Sequence, residues 1–185
     1  MSLSGRIQAL TRSAQFWPAL VLLLLLAANG VLNPQFFALT WRDGHLYGAL
    51  IDILNRAAPL MTVALGMTVV IATRGIDISV GAVAAIAAAV AASLIGGKLV
   101  IVDGQQIHAP SVAMPLALLA ALAAAALCGL FNGVLVASVG IQPIIATLIL
   151  MVAGRGIAQL LTGGQIITVY YAPYFFLGNG FLLGL

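Results

Sequence analysis

Long apolar runs separated by short polar connections set the pattern of this chain. Five runs meet or approach the roughly 20 residues that a bilayer-crossing helix needs: Phe16–Leu32, Ala57–Thr73, Val80–Ile95, Val112–Ser138 and Ile144–Leu161. Pro18, Pro59 and Pro143 stand near the starts of three of them, where a missing N–H costs little. The runs are continuous and rich in Ala and Leu, so the roughly 10-residue alternation of a membrane β-barrel is not met. The predicted fold class is therefore all-α: a polytopic membrane helix bundle of about five spans, forming one transmembrane domain over residues 1–185.

The connections carry the polar residues. Asn33–Arg56 holds Arg42, Asp43, His45, Asp52 and Arg56, with room for a short interfacial helix. Gly96–Pro110 holds Lys98, His108 and the turn signal Asp103-Gly104. Gly140–Pro143 has room for a tight turn only, and Tyr170, Tyr171, Tyr174, Phe175 and Phe176 read as an interfacial aromatic belt. Arg6 and Arg12 favour a cytoplasmic N-terminus. A cleaved leader ending near Ala27-Ala28-Asn29 is the alternative there, but the apolar run continues to Leu32 and suits an anchor better.

Composition sharpens this picture. Only 6% of the residues are charged and 63% are hydrophobic, with a mean hydropathy of +1.20, against roughly 25% charged in a soluble domain. The net charge of +3 is scattered, so no basic cluster exists to bind nucleic acid. Cys128 is the sole cysteine and cannot form an internal disulfide. Glutamate is absent, and the histidines and aspartates lie in separate segments. That leaves no nucleophile–base pair, no metal-ligand cluster and no phosphate loop of the GxxxxGK[ST] type.

The candidate chemistry is a thin set of polar residues at membrane depth. Arg74, Asp77 and Ser79 interrupt the apolar pattern in VVIATRGIDISVGAVAA, Val69–Ala85. This break reads either as a cytoplasmic loop with Asp77 capping the next helix, or as a discontinuous helix lining a path or gate. Asn132, in GLFNG, either bonds a neighbouring helix or meets a solute. Arg155, in MVAGRGIAQ with Gln159 following, marks a pathway or a span end. Gln142, ahead of Pro143, reads mainly as a turn residue. Gly129 and Gly133, and Gly81 beyond the break, are candidates for close helix packing. The alanine-rich stretch Ala84–Ala92 belongs inside the bundle.

Two blocks carry a family resemblance. Ile51–Val90 contains Asn55, Gly66-Met67-Thr68 with Val70-Ile71, and Gly75-Ile76-Asp77-Ile78-Ser79-Val80-Gly81. Ile141–Ile167 contains Gln142, Ala146-Thr147-Leu148 and Arg155-Gly156. In this order and at this separation they resemble the permeases of bacterial ABC importers for monosaccharides, the ribose, galactose, arabinose and xylose group. The wording of DGHLYGALIDILNRAAP and LILMVAGRGIAQL is most similar to the galactofuranose-type importers. Arg74 departs from the resemblance, since the family has glycine or another small residue before Gly-Ile-Asp.

The resemblance implies a multi-pass subunit of the bacterial inner membrane with no catalytic residue and no cofactor of its own. It implies three kinds of partner: an ATP-binding subunit, a periplasmic sugar-binding protein and a second permease copy, either identical or related. It also implies that residues 1–185 are the N-terminal part of a longer permease. A stand-alone secondary transporter or channel, and a non-transporting membrane scaffold, are the alternatives from other classes.

Overall fold

The computed structural model describes residues 13–42, 44–96, 98–102 and 105–179. Arg6, Arg12, Asp43 and the Asp103-Gly104 turn signal lie outside the described residues. The chain divides into two compact units, Met1–Pro59 with Leu183–Leu185, and Leu60–Leu182.

The first described helix of the first unit is α1, Phe16–Leu32. Asn29 donates its side-chain amide to the Leu25 carbonyl at 2.8 Å, which settles a polar group on an otherwise apolar helix. Past the helix end, Phe37 folds back so closely that a Cβ on Gly30 would collide with its ring. Strands β1 (Thr40–Arg42) and β2 (His45–Tyr47) then form an antiparallel hairpin, and Gly44 takes φ 81° in its turn. Such a turn needs left-handed backbone, which glycine adopts without steric cost. The sequence reading has a short interfacial helix here. A hairpin takes its place, followed by an early start of the next helix.

That helix, α2, runs Ala49–Ala72 and begins eight residues before the apolar run. It absorbs Asp52 and Arg56, because polarity bears on depth in lipid and not on helix formation. Asp52 in the first turn complements the positive end of the helix dipole. Pro59 consequently lies in the helix interior and has no N–H to offer the Asn55 carbonyl.

The second unit is built around α3, Val80–Ile95, which packs against both α4 (Met114–Ala137) and α5 (Pro143–Leu161). Helix α3 buries Ala82, Ile86, Ala89, Ala91 and Ile95, so alanine does place it inside the bundle. On one face, Ala91 and Ile95 meet Ala117 and Ala121 of α4. On another, a Cβ on Gly154 of α5 would lie 3.0 Å from the Ala82 Cβ and 3.3 Å from the Ile86 Cδ1. Small residues here let the backbones approach. Ile95 near the end of α3 meets Ala117 near the start of α4, so those helices are antiparallel. Ser93 reaches toward the Leu161 carbonyl (3.4 Å), so α3 and α5 run parallel.

Between α3 and α4, strands β3 (Lys98–Val102) and β4 (Gln105–Ala109) pair antiparallel, with Lys98 opposite Ala109 and Val102 opposite Gln105. After α5 the chain crosses the end of α3, where a Cβ on Gly96 would lie 2.8 Å from the Ile167 Cγ2. It then forms a short helix, α6, Ala172–Asn179. Tyr171 and Tyr174 pack partly buried on the Ile95 cluster, whereas Tyr170, Phe175 and Phe176 remain exposed.

Among the described residues, three helices suffice by length and composition to cross a membrane, α2, α4 and α5. The apolar helices α1 and α3 have 17 and 16 residues, about 24–26 Å at the usual rise, against about 30 Å of hydrocarbon. About five spans is thus the sequence expectation, while the mostly helical structure supplies three of full length.

Candidate polar junction at the helix break

Helix α2 stops at Ala72 in a doubly bonded turn. The Arg74 N–H donates to the Ile71 carbonyl at 2.9 Å and the Gly75 N–H to the Val70 carbonyl at 3.0 Å. Arg74 sits at φ 62°, the sole described non-glycine residue in the left-handed region. This is the standard left-handed cap of a helix C-terminus, a position that favours glycine. The family departure noted at Arg74 therefore falls on a residue whose backbone suits the small residue it replaces.

The chain then runs non-helically to Ser79 before α3 begins. Asp77 does not cap the first turn of α3. Its Oδ1 accepts from the Ser79 N–H at 2.7 Å and from the Ser79 hydroxyl at 2.6 Å, a local turn in which a short acidic side chain substitutes for backbone. The Ser79 hydroxyl proton is thereby committed to Asp77, so its oxygen is free to accept. Asn132 of α4 supplies the donor, its Nδ2 lying 3.0 Å from the Ser79 Oγ. The order of donation runs Asn132 to Ser79 to Asp77.

Ser79 is fully buried and Asn132 is 7% exposed. The Asn132 Oδ1 is buried with no hydrogen-bond partner. Thr147 of α5 closes the third side. Its hydroxyl lies 3.3 Å from the Ile76 carbonyl, while also facing the Pro143 and Ile144 carbonyls of its own helix. One short segment is thus tied to two helices by side chains 53 and 71 residues away in sequence.

The structure brings Asp77, Ser79 and Asn132 together and leaves Arg155 and Gln159 apart. Both of the latter are exposed on α5, and Arg155 lies eight residues beyond Thr147, about 12 Å along the helix. Asn132 stands five residues before the end of α4, so the junction sits near one end of the unit and not at mid-helix. A Cβ on Gly81, Gly129 or Gly133 would meet nothing within 4 Å. Between the packed helices α3 and α5 the close approach is made at Gly154. Gln142 precedes α5 without a side-chain cap bond. Thr147 carries no separate signal in the sequence beyond its place in the Ala146-Thr147-Leu148 match. No group of three or more metal-ligating residues occurs among the described residues.

Comparison with known proteins agrees with the resemblance. Residues 49–179 match the family described as the permease component of the branched-chain amino acid transport system. The chain is 47% identical to the galactofuranose transporter permease protein YtfT of Escherichia coli (strain K12), over 90% of this chain and 47% of the relative. It is 36% identical to the fructose import permease protein FruF of Bifidobacterium longum (strain NCC 2705), over 97% of this chain and 48% of the relative. It is also 36% identical to the ribose import permease protein RbsC of Escherichia coli (strain K12), over 79% of this chain and 39% of the relative. The chain therefore spans about half the length of the curated relatives it matches, or less. No solved structure matches. With most of its helical length inside the matched region, the chain belongs to the branched-chain amino acid transport system permease-component family.

Proposed function

We propose that this chain is part of the membrane permease of an ABC importer that moves a monosaccharide across the bacterial inner membrane. The observation that carries the reading is the 36–47% identity to three permeases whose names specify galactofuranose, fructose and ribose. On this reading ATP hydrolysis occurs on a separate ATP-binding subunit, a periplasmic binding protein delivers the sugar, and a second permease copy completes the path. Helices α1 and α3 join α2, α4 and α5 as spans, giving five, with the N-terminus cytoplasmic.

The polar junction fits a gate more readily than a tight sugar site. Its side chains bond mainly to one another, and directional hydrogen bonds between helices can be exchanged for water when the helices separate. Asp77, Ser79 and Asn132 form it together with Thr147, while Arg155 and Gln159 act elsewhere on α5.

The test is uptake of radiolabelled galactofuranose, fructose and ribose by cells carrying the complete importer as their sole route. Uptake of at least one sugar that stops when the ATP-binding subunit is inactivated supports the proposal. Uptake that persists without ATP hydrolysis would indicate a secondary transporter or channel. Absence of uptake of all three sugars would remove this reading.

A further inference from the structure

Arg155 is the sole charged residue in α5, Pro143–Leu161. It is exposed, as is Gln159 one turn later, and residues four apart lie on one helix face. The preceding residue, Gly154, is buried against Ala82 and Ile86 of α3. A step of about 100° around the helix carries Arg155 away from that contact. The cation therefore stands on an outer face of a helix long and apolar enough to cross a membrane.

Lipid is a poor neighbour for it. Arg155 lies six residues from the nearer helix end, Leu161, about 9 Å inside. Helical side chains lean toward the N-terminus, here away from that nearer end, so reaching a headgroup layer works against the preferred direction. A guanidinium at such depth needs acceptors from protein or water. Among the described residues no carboxylate pairs with it. Asp77 belongs to the junction at the other end of α5, tied to Ser79. Protein outside residues 1–185 is available in principle, because roughly half of a relative such as the galactofuranose permease lies beyond the matched portion.

We propose that the Arg155–Gln159 face of α5 is an interface for a membrane helix outside residues 1–185 that carries an Asp or Glu side chain. The guanidinium donates two parallel hydrogen bonds to that carboxylate, and Gln159 offers an amide to the same helix one turn away. This rests on the reading of the chain as part of a permease.

The experiment measures uptake of whichever sugar the wild-type importer transports, together with abundance of the chain in the membrane. Arg155→Lys keeps the charge but not the forked contact and retains only part of the uptake, whereas Arg155→Leu lowers it about tenfold or more at matched abundance, as expected for a buried pair losing one partner. Arg155→Glu abolishes uptake. Selection for growth on that sugar then recovers second-site changes that replace an Asp or Glu outside residues 1–185 by a neutral or basic residue. Wild-type uptake by Arg155→Leu would overturn the proposal and indicate a headgroup or water contact. Revertants confined to position 155 would also overturn it. A wild-type importer that moves no sugar would instead remove the permease reading, so the two failures are distinguishable.

Discussion

The two ends of the second unit are closed by different chemistry. At one end, Asp77, Ser79, Asn132 and Thr147 link the α2–α3 connection to α4 and α5 through side-chain hydrogen bonds. At the other, Ala91, Ile95, Ala117 and Ala121 pack together beneath Tyr171 and Tyr174, and Gly96 lets the chain after α5 cross the end of α3. Each end also receives a helix that stops in the same doubly bonded turn. Arg74 occupies the left-handed position after α2, and Gly163, at φ 61°, occupies it after α5. The packed end is sensitive to changes of volume, while the junction is sensitive to the loss of single polar atoms. On the proposed permease reading, the packed end holds position and the junction opens and closes.

Substitutions at each end test this contrast, with stability read as thermal unfolding of the purified protein in detergent. The largest effect belongs to the packed end. Gly96→Leu places a Cβ 2.6 Å from the Ala92 carbonyl and 2.8 Å from Ile167, and overpacking of this kind costs about 1–3 kcal/mol or more. Gly154→Leu, pressed against Ala82 and Ile86, should follow closely. A variant at Gly96 with unchanged unfolding temperature would show that the end is loose.

Asp77→Ala comes next. It removes the acceptor for both Ser79 donors, one of them on a fully buried side chain, and leaving such donors unmade costs about 1–3 kcal/mol. In the complete importer the same change should impair assembly or uptake, and wild-type uptake would argue against a role for the junction. Arg74→Gly is the smallest change and has the opposite sign. It relieves a left-handed non-glycine backbone and should stabilise by roughly 0.5–1 kcal/mol. Destabilisation by that substitution would mean that the Arg74 side chain supports the end of α2, for example as a cation at the negative end of the helix dipole.

Much of this was legible in the chain. The bounds of α1 and α3 coincide with their apolar runs, and those of α4 and α5 fall within two residues of them, because helix ends there coincide with prolines, glycines or a polar break. The start of α2 was not legible: Asp52 and Arg56 mark depth, and a helix extends through them without penalty. The first hairpin was missed although Asp43-Gly44 is the same turn signal as Asp103-Gly104, since its three-residue strands are too short to show alternation.

At the junction, Asp77, Ser79 and Asn132 stood out as polar residues in apolar surroundings. Thr147 did not, because a threonine whose hydroxyl can bond its own helix is unremarkable in an apolar run. The link from Ser79 to Asn132, 53 residues apart, is a tertiary fact that no local pattern encodes. Arg155 illustrates the converse, a charge that was conspicuous in sequence and that the described chain leaves outside the junction.

Ser79, bonded to both Asp77 and Asn132, is the shared partner that joins α3 to α4. A double-mutant cycle of Ser79→Ala and Asn132→Leu, read as unfolding free energy in detergent, tests this link most directly. A coupling of roughly 0.5–1.5 kcal/mol is expected, each single variant costing more than it does in the presence of the other. Strictly additive effects would contradict a bond between the two residues and dissolve the junction as a functional unit.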